Sequence, residues 1–97
     1  MTNTDSILTT LKELKPLIVS RYKAKEIGLF GSFARGEQRE GSDIDVLVEF
    51  EEGADLFDLV GLVDYLEEAL QQKVDVVPKR ALREELRDSV LQEVLTI

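Results

Sequence analysis

Gly28-Leu29-Phe30-Gly31-Ser32-Phe33-Ala34-Arg35-Gly36, followed after a polar stretch by Ser42-Asp43-Ile44-Asp45-Val46-Leu47-Val48, is the part of the chain on which the reading turns. Glu26 to Phe30 has the make-up of a short buried strand that ends at Gly31. Ser32 to Gly41 is polar, and with three glycines across 31–41 it is expected to be a loop with room for one helical turn. Ile44 to Phe50 alternates and is rich in β-branched residues, the pattern of a strand. Side chains alternate faces along a strand, so Asp43 and Asp45 project to the same side. Two carboxylates held close together repel, and each raises the other's pKa unless a cation lies between them. Magnesium suits such an oxygen-only site, taking one or two carboxylates together with substrate phosphates. The plain alternative is a solvated Asp-x-Asp at a strand edge.

Gly31-Ser32 stands where a strand gives way to a helical turn. Glycine there lets a backbone amide approach a phosphate, amides at a helix start favour anions, and Ser32 adds a hydroxyl donor. A Gly-Ser pair alone is a common turn; its weight comes from lying upstream of the carboxylate strand. Asp75 interrupts a third strand, Val74 to Val77, which is stopped by Pro78. Either it is a sheet-edge acid facing water or paired with a nearby Lys or Arg, or it joins Asp43 and Asp45 in a three-carboxylate metal cradle. The second reading is preferred because it explains an acid among valines.

Outward from this centre, Ile7, Leu11, Leu14, Ile18 and Tyr22 recur at helical spacing, with Pro16 expected to kink or split that helix near Lys15. Asp55 is placed to cap a helix, with Asp58 in a box-like position and Leu56, Leu59, Val60, Val63, Leu66 and Leu70 as its apolar stripe. Leu82, Leu86, Val90 and Val94 repeat every four residues on a last helix. The order α-β-loop-β-α-β-α predicts a small α/β domain, with residues 1–97 forming a single unit. Tyr22 and Tyr65 read as half-buried helix residues.

Composition narrows the chemistry. The chain has 97 residues and carries 12 Lys and Arg against 20 Asp and Glu, a net charge of −8. Such an acidic chain is a poor nucleic-acid module, which needs a basic stripe to neutralise phosphates, and it suits a basic partner or a site that collects cations. Neither histidine nor cysteine occurs. Thiolate nucleophiles, Ser-His-Asp triads and zinc fingers are thereby excluded, and any catalysis runs on carboxylates, hydroxyls, Lys or Arg. The N-terminus lacks the basic start and apolar run of a signal peptide, and no apolar stretch approaches the roughly 20 residues that span a bilayer. A cytoplasmic location with no membrane contact is the expectation.

Gly31-Ser32, ten residues, then Asp43-Ile44-Asp45 resembles the signature of the DNA polymerase β-type nucleotidyltransferase superfamily. The fuller run from Gly28 to Val48 is similar to the minimal nucleotidyltransferases of bacteria and archaea. Leu56 to Leu62 and Val74-Asp75-Val76 resemble that family's next helix and third-carboxylate strand. The likeness spans roughly residues 7 to 95. It implies a small mixed β-sheet flanked by helices, and transfer of a nucleoside monophosphate, usually from ATP, to an acceptor hydroxyl. It further implies that Asp43 and Asp45 bind Mg²⁺, and that Asp75 holds a second ion beside the attacking hydroxyl. Gly31 and Ser32 would hold the triphosphate tail, while Arg35 would contact the triphosphate or brace the loop. The smallest members resemble antitoxins of HEPN-domain toxins, basic helical ribonucleases silenced by adenylylation of a tyrosine. The resemblance thus implies a HEPN toxin as partner in a hetero-oligomer, with no direct nucleic acid. Two alternatives stay open: a catalytically silent antitoxin acting by binding alone, and an adenylyltransferase for a small molecule or an RNA end.

Overall fold

In the computed structural model, which describes residues 3–97, Asn3 opens helix α1 (Thr4–Tyr22) by accepting a 2.8 Å hydrogen bond from the Ser6 amide. Ile7, Leu11 and Ile18 are buried along one stripe. Pro16 does not split the helix as expected; α1 runs through it as one element. Both Pro16 and Lys12, whose carbonyl loses its amide partner there, lie on the exposed side. Water can take the freed carbonyl while the buried stripe keeps both halves aligned.

The sheet has the order β3-β2-β1-β4, built from β1 (Ala24–Phe30), β2 (Ile44–Phe50), β3 (Val74–Pro78) and β4 (Leu95–Thr96). β1 pairs antiparallel with β2 and β4, while β2 and β3 run parallel, so the sheet is mixed. A parallel pair needs a crossover, and α3 (Leu56–Leu70) supplies it. Asp55 accepts from the Asp58 amide at 3.1 Å while the Asp58 carboxylate takes the Asp55 amide at 3.0 Å, a complete capping box. Ile27, Leu29, Ile44, Val46, Val48, Val74 and Val76 turn to one face and form the core with α1 and α3.

The inner side of α3 keeps four of its expected residues, with Leu66 and Leu70 buried and Leu59 and Val63 packed against the core, and departs at Leu56, Val60 and Leu62. Leu62, Leu66 and Leu70 are buried, whereas Leu56 and Val60 are 69% and 50% exposed. The chain of four-residue steps from Leu56 through Val60 arrives at exposed Asp64, so that line faces water. The last helix is also shorter than its repeat suggested. A 3₁₀ turn (Lys79–Ala81) precedes α4 (Glu84–Glu93), leaving Leu82 before the helix, Leu86 exposed and only Val90 buried. The order is extended by β4, which the pattern of the sequence did not predict. β4 reaches β1 because position 28 is glycine: a Cβ there would meet Val94 Cγ2 at 2.6 Å and the Leu95 carbonyl oxygen at 3.3 Å.

Candidate active site

The face of the sheet away from α1 and α3 carries the polar members of the alternating strands. Register sets one row across it: Phe30 opposes Asp45 on β2, and Asp45 opposes Asp75 on β3. Residues paired directly across neighbouring strands project to the same side, so Asp45 and Asp75 are neighbours on the open face. β3 is an edge strand and Asp75 is exposed, so this acid faces water and stands beside Asp45 at once. Asp45 is half-buried. Asp43 is exposed and closes the loop one residue before β2. That loop is tied down around it. The Arg39 amide donates to Ser42 Oγ at 2.9 Å, Gln72 Nε2 donates to the Ser42 carbonyl at 3.2 Å, and the Ile44 amide donates to the Lys73 carbonyl at 2.9 Å.

At the end of β1 the chain turns sharply into α2 (Gly31–Arg35). Gly31 takes φ +76°, and a Cβ at this position would fall 2.1 Å from Asp45 Oδ2. Only glycine lets the corner close against the carboxylate. Helical bonding leaves the first amides of a helix without internal acceptors. In this five-residue turn the Gly31 amide donates to Glu93 Oε2 at 2.7 Å, while Ser32, next in line, is half-buried with its carbonyl accepting from the Glu37 amide at 2.9 Å. Arg35, at the exposed end of α2, donates through Nε to Glu37 Oε1 at 2.7 Å and through Nη1 to both Glu93 oxygens at 3.1 and 3.2 Å. Those carboxylates, Glu37 foremost, raise its guanidinium pKa.

Burial pushes the Asp45 carboxyl above the usual carboxylate range, and the charges of Asp75, Asp43 and Glu93 push it further, against the pull of Arg35. Among the described residues none of Asp43, Asp45 and Asp75 has an ion-pair partner. Nor, among those residues, do three acidic side chains gather closely enough to hold a metal ion. The donor chemistry nevertheless fits a hard divalent cation: carboxylate oxygens only, one of them half-buried, in mutual repulsion that a cation relieves. A cavity of about 470 Å³ opens beside Asp43, lined also by Phe33, Gln38, Arg39, Ser42 and Lys73, and Gln38 Oε1 is buried with no hydrogen-bond partner among the described residues.

Comparison with known proteins gives the family and the fold. The family of nucleotidyltransferase domains matches residues 11–96. The chain belongs to that family. It is 44% identical over 94 residues to the protein adenylyltransferase MntA of Thermococcus cleftensis, covering 96% of this chain and 91% of that protein. A solved structure described as a minimal nucleotidyltransferase superposes with a TM-score of 0.87 at 38% identity, over 99% of this chain and 97% of that one. A chain from the complex of tri-AMPylated Shewanella oneidensis HEPN toxin with MNT antitoxin superposes with a TM-score of 0.60 at 26% identity, over 97% and 67%. The small mixed sheet flanked by helices is thus the minimal nucleotidyltransferase fold. Glu93 is the member of this nucleotidyltransferase corner that sequence reasoning missed. It lies 62 residues from Gly31 and 58 from Arg35, near the end of a helix rich in charge, and no local spacing marks it.

Proposed function

We propose that this nucleotidyltransferase transfers AMP from ATP to a hydroxyl, a tyrosine, of a cognate basic HEPN ribonuclease toxin and thereby acts as its antitoxin. The observation that carries the reading is the Asp45–Asp75 pair, opposed in register on the open face, with Gly31 packed against Asp45. The amide and hydroxyl of Ser32 would take oxygens of the triphosphate tail, and the corner at Gly31 sets where that tail lies relative to the acids. Asp43, Asp45 and Asp75 are the residues that would hold magnesium, as two ions. Bound there, the metal would supply charge neutralisation at the phosphates. Asp75, on the edge strand and open to solvent, is placed to meet an incoming protein acceptor. The acceptor oxygen forms its bond to the α-phosphorus as the bond from that phosphorus to the bridging oxygen breaks. Pyrophosphate leaves, and the acceptor's proton passes to Asp75. Transfer of this kind rests on positioning and electrostatics, so a chain without histidine can perform it.

Labelled ATP incubated with the chain and its cognate toxin should pass label to the toxin, and Asp43→Ala or Asp45→Ala should abolish transfer. Undiminished labelling by both variants would reject the assignment. A second reading, neutralisation by binding alone, is favoured by one feature: Leu56, Phe57 and Val60 are exposed at the start of α3, Phe57 by 86%, beside the acids Glu51, Glu52 and Asp55. An apolar cluster with an acidic rim suits a basic protein surface. If that reading holds, Asp45→Ala protein still protects cells and still co-purifies with the toxin.

A further inference from the structure

The Glu93 carboxylate is brought from the last turn of α4 to the corner between β1 and α2, where it accepts from the Gly31 amide at 2.7 Å and from Arg35 Nη1 at 3.1 Å. It is only a quarter exposed, while its partner Arg35 is about half exposed. An anion seated at this place has two possible consequences. Either it occupies the donors that a phosphate needs and competes with nucleotide, or it fixes the corner so that the remaining donors stand ready. The bonding favours the second. Glu93 takes the first amide of α2, and the helical pattern leaves the amides of Ser32 and Phe33 without intrahelical acceptors. Its charge is offset in part by Arg35, which is held between Glu93 and Glu37. The three side chains together leave one negative charge at the corner, which the donors of Ser32 and a bound cation must outweigh.

Resting on the nucleotide-transfer reading above, we infer that Glu93 is a positioning residue for nucleotide binding. Its carboxylate clamps the Gly31 amide and the Arg35 guanidinium, and so sets the Ser32 donors against Asp45. Of the two roles expected for Arg35, bracing the loop is the one this geometry supports. The clamp also explains why the C-terminal helix, with only Val90 buried, matters to the site: α4 touches α2 through this carboxylate, and Val94 seats its end against Gly28. Two of the glycines in the decisive stretch thus serve one purpose. Gly28 admits the end of α4 to the sheet, and Gly31 admits the Asp45 carboxylate to the corner that α4 clamps.

The test measures equilibrium binding of a non-hydrolysable ATP analogue with Mg²⁺ by calorimetry, for wild type, Glu93→Ala and Glu93→Gln, alongside Tm and the kcat and KM of AMP transfer. Glu93→Ala should weaken analogue binding and raise KM for ATP about tenfold with kcat within about twofold, because a positioning contact made alike in ground and transition states acts through KM. Glu93→Gln, whose amide oxygen still accepts from Gly31, should recover most of that loss. It is close to isosteric, which keeps the test informative if Glu93→Ala folds poorly. Binding at wild-type strength in both variants, with Tm lowered, would mean a purely structural contact and overturn the inference. Tighter binding in Glu93→Ala would mean a competitor and overturn it as well. A wild-type chain that takes no analogue would instead overturn the nucleotide reading itself.

Discussion

A methyl group at position 31 has nowhere to go. The backbone there is left-handed, which disfavours any residue with a Cβ by about 1–2 kcal/mol, and the added carbon would fall onto Asp45 Oδ2. Gly31→Ala should therefore lower stability in urea by at least that amount. It should also reduce AMP transfer by about a hundredfold, since a displacement near 1 Å at a reacting group costs on that order. Asp45 makes a second prediction at the same scale. Its pKa in the folded chain is raised, by burial first and then by Asp75 and Asp43. The folded state therefore holds this proton at pH values where the unfolded chain has lost it. Stability from this group is full below the ordinary aspartate pKa of about 3.9 and is lost as pH rises through the higher folded value. Asp45→Asn should unfold at higher urea than wild type at neutral pH without divalent cation, and the difference should shrink toward zero near pH 3.5. An equal difference at both pH values would disprove this account. The pairing of Asp45 with Asp75 on one face was legible from the sequence, because alternation on a strand is strict and an Asp among valines is conspicuous; Asp43, expected on the same strand, lies one residue before β2. Glu93 was not: its role arises from a contact across 62 residues, and a glutamate near a helix end is ordinary in every local respect.

Among the elements, legibility followed how much of the signal is local. β2 occupies the residues its alternation predicted, and the Asp55–Asp58 box caps α3 as its chemistry required. The stripe of α3 was right at Leu59, Val63, Leu66 and Leu70 but took in Leu56 and Val60 and left out Leu62, because these residues permit two apolar edges and only packing against α1 and the sheet chooses between them. β4 has two residues, too few for any period, and exists because Gly28 lets the chain approach. Pro16 was expected to kink or split α1 on propensity, but tertiary burial on both sides of it keeps the helix one element. Such a proline still weakens the element that holds it. Pro16→Ala, at an exposed helix-interior position, should raise stability by roughly 1–3 kcal/mol, seen as a higher urea midpoint with unchanged slope. No gain would show that α1 carries less stability than its three buried anchors suggest.

For the molecule as a whole, charge poses a problem. A chain of net charge −8 is proposed to bind ATP, itself a polyanion, at a place where the charges of Asp75, Asp43 and Glu93 already bear on Asp45. The positive groups at hand are few: Arg35 is held by Glu37 and Glu93, leaving Arg39 and Lys73 at the mouth of the cavity beside Asp43. Two or three cationic side chains at partly exposed positions offset little of such repulsion, because each surface pair contributes only about 0–1 kcal/mol. The deficit is one that divalent cations can remove, and the same acidity that repels free nucleotide would attract the basic protein acceptor proposed above. Chelation with EDTA should therefore weaken binding of the ATP analogue by at least about a hundredfold, roughly 2.7 kcal/mol, which is less than the ~4 kcal/mol of a single charge contact at about 4 Å and an effective dielectric near 20. Association with a basic toxin should respond differently: it should survive EDTA yet slow as salt is raised from about 0.05 to 0.5 M, where the Debye length falls from roughly 14 to 4 Å. Calorimetry for the nucleotide and stopped-flow association for the protein separate the two. If the analogue binds equally well with and without divalent cation, the carboxylate row is a solvated sheet edge, and the acidic face alone connects this chain to its partner.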